Sequence, residues 1–488
     1  MQAPEGRVRR VRARWSIGER RSTLAAAVAA AGGALAFAVV APPYVSADEA
    51  AHVDYALQLW HGGLPVFEDG LRLQLDQGHV PPVQWTAQHP PLFYALLAPV
   101  VGPLVDGDRP TTAAFAARGV TMVLAFLTVL AAAWAARWLL PSAYRAALWA
   151  VPVVVAGGTW LLRLGGAVYN DVLLILEVTL LIGLVGYRLR TDALARWWRP
   201  AWALLLAAAA LTRASGLSLA LLCVAVVSLD IALRRPRDVR AWCGDLFAPV
   251  AVAVAASWWF YARNVRLTGS ITGGHPGWAV EHLGRQHRAL EQVLTSSTFW
   301  ETSLQQYASA PAVRDDANLL LFLVPAALGA ALLVTGVLRR PGETALADRL
   351  CVLLLAGAVG GILLQQALYH TTGGGANGRY LAVLALPFAV LLVAAVGPWG
   401  ARPLRVAWVV GLWFVARAVE LGLDVEATRA RYAPAGAPGL PTWLGWCGYG
   451  LFVVAGLTSV VVGARGACEA SPSGRGGLED RVEVQRAL

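Results

Sequence analysis

Two neighbouring carboxylates, Asp48 and Glu49, sit in "YVSADEAAHVDYALQLWHGG", just past the first long apolar run of the chain. A carboxylate at a membrane edge either holds a helix start and faces water, or works as a general base whose proton affinity is raised by partial desolvation. Ser46-Ala47-Asp48-Glu49 fits the S-x-x-E capping box, with Ser46 as N-cap and Glu49 at the third helical position. The following helix then brings Asp48, His52 and Tyr55 near one face, at i, i+4 and i+7. On this reading Glu49 holds the helix start and Asp48 is left free, while both stay in the catalytic set.

Four further stretches carry comparable groups. "RLGGAVYNDVLL" places Asn170 and Asp171 at the start of an apolar run, with Glu177 deeper on a similar face. Carboxylates there face a bundle interior or a wet cavity rather than lipid, unless Asp171 only caps its helix. "YHTTGGGANGRYLAVLALP" joins two apolar runs through a glycine stretch that lets backbone approach a ligand, with His370 before it and Arg379 after it. Arg379, and Arg263 in "WFYARNVRLTGS", either bind an anion such as phosphate or snorkel to headgroups. His89 opens "HPPLFY", as a ligand-facing group or a solvated cap. Arg417 and Glu420, three apart, read as a structural ion pair.

The elements that must position these groups are transmembrane helices. The 488 residues are 57% hydrophobic and 14% charged, with a mean hydropathy of +0.55, and runs of helix-spanning length recur. The ten-residue alternation of a membrane barrel is missing. The sequence predicts an all-α polytopic membrane protein with about twelve spans: 23–41, 112–136, 146–163, 171–187, 200–212, 216–233, 244–262, 317–338, 349–369, 380–397, 404–423 and 441–463. The stretch at 200–212 is short for a span. No internal repeat is detectable.

All 40 cationic residues are Arg, and most fall in short breaks on one side of these spans, such as "RVRRVRAR" and "LRRPRDVR". That is the topogenic bias of cytoplasmic loops, so the net charge of +10 speaks for orientation and headgroups, not for nucleic acid. It predicts both termini in the cytoplasm and all eight His on or at the outer side. The expected organisation is a basic cytoplasmic N-terminus over 1–22, a membrane domain over 23–463 with outer loops at 42–111 and 263–316, and a disordered cytoplasmic tail over 464–488. The loop 42–111 includes an apolar, Pro-broken interfacial stretch. The first apolar run has full span length, which favours a retained helix over a signal peptide cleaved after Ala47. Five scattered Cys give neither a disulfide framework nor a zinc pattern.

Taken in order, these motifs resemble the GT-C superfamily of membrane glycosyltransferases, nearest to bacterial relatives of protein O-mannosyltransferases and lipid A aminoarabinose transferases. The matching stretches are "PPYVSADEAAHVDYALQLWHGGLP" (42–65), "HPPL" (89–92), "ND" (170–171), "LTRASGL" (211–217), "WFYARNVRLTG" (259–269) and "NGRYLAVLALP" (377–387). The resemblance implies an enzyme of the EC 2.4 class in the bacterial plasma membrane. It would move a sugar from a polyprenyl-phosphate carrier to a glycan, lipid or protein acceptor on the outer face, by direct displacement. Asp48 then matches the loop carboxylate taken as base, and Asp171 a second outer acidic residue. Arg379, with Arg263 and His89, falls where the donor phosphate is held, and His52, Tyr55, Asn170, Glu177 and His370 line the substrate. Some relatives use a divalent metal, for which Asp48, His52 and Asp171 are the candidate ligands; no other cofactor is implied. A lipid-carrier or solute transporter is the rival reading. It predicts midplane charges in broken helices and a repeat. In a third reading, a non-catalytic scaffold, Asp48 and Asp171 are replaceable caps.

Overall fold

The computed structural model describes residues 15–45, 47–75, 78, 80–191, 194–307, 314–339, 343–397, 402–432 and 440–469. Ser46, and so the expected capping box at Glu49, lies outside them, as do His79 and most of the expected tail. The described residues are helical with no strand. Among the described residues ten helices are long and apolar enough to cross a membrane.

In chain order the helices are α1 (Ile17–Val40), α2 (Ala47–Trp60), α3 (Leu92–Asp106), α4 (Pro110–Leu139), α5 (Ala150–Ala156), α6 (Thr159–Gly165), α7 (Asp171–Arg190), α8 (Trp198–Thr212) and α9 (Ala214–Arg234). There follow α10 (Val239–Thr268), α11 (Arg314–Leu338), α12 (Glu343–Thr371), α13 (Gly378–Val396), α14 (Pro403–Tyr432) and α15 (Thr442–Glu469). Short helices occupy part of 276–303. Two of the twelve expected spans differ from the rest. The run at 146–163 is broken at Gly157-Gly158 into α5 and α6, because Gly157 ends one helix and Gly158 starts the next. The run at 200–212 is the 15-residue α8, turned back by the single extended residue Arg213. The first and last helices also exceed the expected membrane limits, α1 starting at Ile17 and α15 reaching Glu469.

Lipid offers no hydrophobic gain for bringing apolar helices together, so packing rests on close backbone approach. The antiparallel pair α1 and α15 shows this. Gly18 lies against Gly466 and Gly32 against Gly448, and a Cβ at Gly448 would sit 2.7 Å from the Gly32 carbonyl. Between these contacts Ser22 donates to the Ser459 carbonyl at 2.8 Å and Ser459 to the Ser22 carbonyl at 2.7 Å. A capping box does occur at the start of α1, where Ser16 and Glu19 exchange bonds of 3.1 and 2.8 Å. Glu19 also pairs with Arg137 at 2.8 Å.

The Arg-rich end of the bundle is cross-linked by charge. Arg188, 1% exposed, reaches Asp230 at 2.8 Å and Asp245 at 3.3 Å, and Arg190 reaches Asp348 at 2.7 Å. Several of the cations read as topogenic therefore also tie α7 to α9, α10 and α12. Arg417 pairs with Glu420 as expected, and also donates to the Gly157 carbonyl at 2.9 Å and to Thr159 at 2.8 Å, fixing the α5–α6 break. Among the cysteines, Cys223 and Cys351 are buried, while Cys243 and Cys447 face outward.

Candidate active site

At the end of the bundle away from that Arg cluster, one cavity of about 690 Å³ is lined by α2, the 85–89 turn, the start of α7, the α8–α9 corner, the 268–276 stretch and the α12–α13 loop. Four charges alternate across it. Arg379 donates through Nη1 to Asp48 Oδ2 at 2.9 Å, its Nε lies 3.9 Å from Asp171 Oδ2, and Asp171 Oδ1 accepts from Arg213. Tyr169 and Tyr380 present their rings to the Arg379 guanidinium at 4.8 and 5.2 Å, and Tyr380 is 5.3 Å from Arg213. Such contacts hold a cation without neutralising it. The side chain of Asp48 is 29% exposed, against 8% for Asp171, so Asp48 is the carboxylate a substrate can reach.

The 3.9 Å between Arg379 Nε and Asp171 Oδ2 is too long for a hydrogen bond, and both atoms are buried without a hydrogen-bond partner. Asn170 Oδ1, Gln365 Oε1 and Gln366 Nε2, from residues that line the same cavity, are also buried and unpartnered. Buried polar atoms are rarely left this way in a finished core. Atoms without a hydrogen-bond partner also occur in the Arg188 cluster, at Arg188 Nη2 and Arg234 Nη2; those around Arg379 differ in belonging to residues that line a cavity, which fits a cradle completed by a polar ligand.

Arg213 reaches the cavity because of how α8 meets α9. One extended residue joins them, and Gly216 is needed because a Cβ there would run into the Ala209 carbonyl. Asn170 donates to the Thr212 carbonyl at 3.2 Å and Thr212 donates to Glu177 at 2.9 Å, so α7 staples the corner from two points.

Behind Asp48 lies a histidine pair. His52 and His89 stack with ring centroids 6.2 Å apart and planes 6° from parallel, and His52 Nδ1 meets the Tyr94 hydroxyl at 2.9 Å. Burial pushes both imidazoles well below the usual 6.5. The Arg379 and Arg213 charges push His52 further the same way; Arg213, His52 and Arg379 do so for His89, with Asp48 opposing. Both rings are therefore neutral at neutral pH.

The structure brings Asp48, His52, His89, Asn170, Asp171 and Arg379 together on this cavity. It places the other candidates elsewhere. Glu49, 1% exposed, is filled on both oxygens: Arg118 reaches them at 2.8 and 2.7 Å, and the Tyr44 and Val168 amides at 2.9 and 3.2 Å. Arg118 also donates to the Ala38 and Ala41 carbonyls at 2.7 Å, so Glu49 clamps α1, α2, α4 and the α6–α7 turn rather than facing substrate. Tyr55 is buried beneath the cavity, donating to the His89 carbonyl at 3.0 Å. Glu177 lies deeper in α7, against Thr212. His370 donates from Nδ1 to the Gly374 carbonyl at 2.6 Å and props the glycine loop. Arg263 faces a smaller cleft, where it donates to the Pro65 carbonyl at 2.5 Å.

Among the described residues no group of three His, Cys, Asp or Glu is placed to hold a metal. The candidate ligands do not fit one: the guanidinium of Arg379 lies between Asp48 and Asp171, and His52 Nδ1 is taken by Tyr94. Sequence reasoning missed Arg213 and Arg118 as positioning cations. The available signal was an isolated Arg within an apolar stretch, which demands a partner.

No protein-family model and no curated protein matches the chain. Among solved structures it is similar to ArnT from Cupriavidus metallidurans bound to undecaprenyl phosphate, at 14% identity and a TM-score of 0.48, over 92% of this chain and 78% of that one. Apo ArnT from the same organism gives 15% and 0.47, over 88% and 75%. The archaeal oligosaccharyltransferase AglB from Archaeoglobus fulgidus, in complex with an inhibitory peptide and a dolichol-phosphate, gives 11% and 0.45, over 93% and 56%. All three lie below a TM-score of 0.5, and the functional reading of the cavity rests on its own residues.

Proposed function

We propose that this chain is a membrane glycosyltransferase that takes a sugar from a polyprenyl-phosphate carrier and transfers it to an acceptor hydroxyl at the outer face of the membrane. The observation that supports this best is the Asp48–Arg379–Asp171–Arg213 series: an accessible carboxylate directly beside paired guanidiniums. Leu174, Ile362, Leu368 and Val383 give the cavity an apolar side suited to an isoprenoid. The ordered motifs that resemble the GT-C superfamily point the same way.

The chemistry follows from charge. The acceptor hydroxyl gives its proton to Asp48, and its oxygen bonds to the anomeric carbon as the bond from that carbon to phosphate oxygen breaks. Polyprenyl phosphate leaves with the electron pair, gaining one negative charge, which Arg379 and Arg213 stabilise. A single displacement inverts the anomeric configuration. Arg379 holds Asp48 at 2.9 Å. A donor phosphate competes for that guanidinium, so donor binding releases the base.

The test is transfer in proteoliposomes, with radiolabelled polyprenyl-phosphate sugars and membrane acceptors, by the unaltered protein and by Asp48→Asn. Transfer that survives the substitution sinks the base assignment, and movement of intact carrier across the bilayer without sugar transfer favours a transporter.

A further inference from the structure

The transferase reading leaves one wall of the cavity without a role. Phe67, Trp85 and His275 line it. Phe67 and His275 stack at 3.7 Å with planes 9° apart, Trp85 lies 5.7 Å from Phe67, and Trp278 braces Phe67 and Trp85 edge-on from behind at 5.7 and 5.4 Å. The loop carrying Phe67 and Trp85 is fastened. Asp54, 0% exposed, accepts from the Arg72 and Leu73 amides at 2.7 Å and from Gln84, and Thr86 donates to the Ala51 carbonyl at 3.1 Å. The wall is thus a built surface.

Its remaining polar lining is neutral: Gln88, Thr268, Ser270 and Thr272, with Gly274 beside Gln88. Among the described lining residues the only carboxylates are Asp48 and Asp171, both already paired. The only Arg beyond the central two is Arg285, which is held by the Gly373 carbonyl at 3.2 Å. Outside the lining, Glu68 faces His275 Nδ1 at 3.7 Å; within the lining an aminated or phosphorylated acceptor would meet no free countercharge. A pyranose ring has an apolar C–H face and a rim of neutral hydroxyls that both donate and accept, which is the complement of aromatic rings edged by amides and hydroxyls. The wall also leads to the base. The Trp85–Gln88 turn runs into His89, which stacks on His52, one helical turn from Asp48.

We propose that the acceptor is a neutral glycan, seated as a sugar ring against Phe67, Trp85 and His275 so that one of its hydroxyls meets Asp48. This rests on the transferase reading and names its acceptor class. The test is binding without donor. The full chain in nanodiscs is probed by saturation-transfer NMR with methyl glycosides of mannose, galactose and arabinose, and with a threonine-containing peptide and phosphoethanolamine as counter-probes. Saturable binding of at least one glycoside is expected, weakened about tenfold by Trp85→Ala, or 1.4 kcal/mol, and restored by Trp85→Phe. If Trp85→Ala does not fold, His275→Ala gives the same reading. The proposal is overturned if no glycoside saturates, if neither alanine variant weakens binding, or if only the peptide or phosphoethanolamine binds. A failure of this kind with sugar transfer intact in proteoliposomes leaves the transferase standing with another acceptor. Glycoside binding without transfer from any polyprenyl-phosphate sugar sinks the transferase reading, and with it the role of acceptor.

Discussion

Asp48 and Glu49 are adjacent and carry the same charge, yet their surroundings give them opposite sensitivities. Asp48→Asn removes the proposed base and leaves Arg379 with Asp171 nearby, so transfer should fall by at least about 100-fold while the thermal midpoint barely moves. Glu49→Gln leaves the buried Arg118 without its carboxylate, a loss on the order of 3–5 kcal/mol that should appear as poor yield and a lower midpoint. An Asp48→Asn variant that unfolds, or a Glu49→Gln variant as stable as the parent, reverses the assignment. The sequence separated these two residues through a capping box at Ser46. Glu49 does lock the start of α2, but through Arg118 in α4, a contact that no local motif encodes. His52 and His89 give a pH signature. Their folded values lie well below 6.5, so the unfolded chain takes up protons first as pH falls. Stability is then full above pH 6.5 and erodes below it, with a limiting slope of about 1.4 kcal/mol per pH unit for each ring. Thermal midpoints in detergent should therefore drop between pH 7 and pH 5, and His52→Gln should flatten that drop. A flat profile for the parent protein excludes buried neutral histidines.

Helices carry the site by their ends. Asp48 sits in the first turn of α2, Asp171 starts α7, Arg213 fills the α8–α9 corner and Arg379 opens α13. Apolar run lengths made most of these helices legible, because a span must reach across the hydrocarbon whatever its neighbours are. Run length alone could not show that Gly157-Gly158 splits one span, or that Arg213 turns a short helix back on itself. The corner is also where an element-scale role can be tested. Asn170→Ala removes the bond to the Thr212 carbonyl and frees the corner that carries Arg213, without touching Asp48. Turnover should fall by roughly tenfold, the scale of one lost hydrogen bond to a positioned group, with little change in apparent affinity for the acceptor. An unchanged turnover means that Glu177 and the helix packing hold Arg213 unaided.

At the scale of the molecule, two polar ends do different work. One end cross-links helices through buried pairs around Arg188 and Arg190, and the other leaves Asp48, Arg379 and several unpartnered amides around an open cavity. The separation was legible in the sequence because Arg concentrates in short loops on one side of the spans. What each cation does was not, since a headgroup contact and an interhelical pair have the same composition. The positive-inside bias predicts the Arg-rich end in the cytoplasm and the cavity outside; on the proposed reading, a carrier already facing the outer leaflet enters there. In a chain whose five native cysteines are replaced by serine, a single cysteine introduced at Thr272, on the cavity wall, should react with a membrane-impermeant maleimide in intact cells. One introduced at Arg237, in the loop after α9, should react only after the membrane is opened. The reverse pattern would put the cavity in the cytoplasm, where acceptors and donors would have to be those of the inner leaflet, and the outer-face reaction would be wrong even if Asp48 is the base.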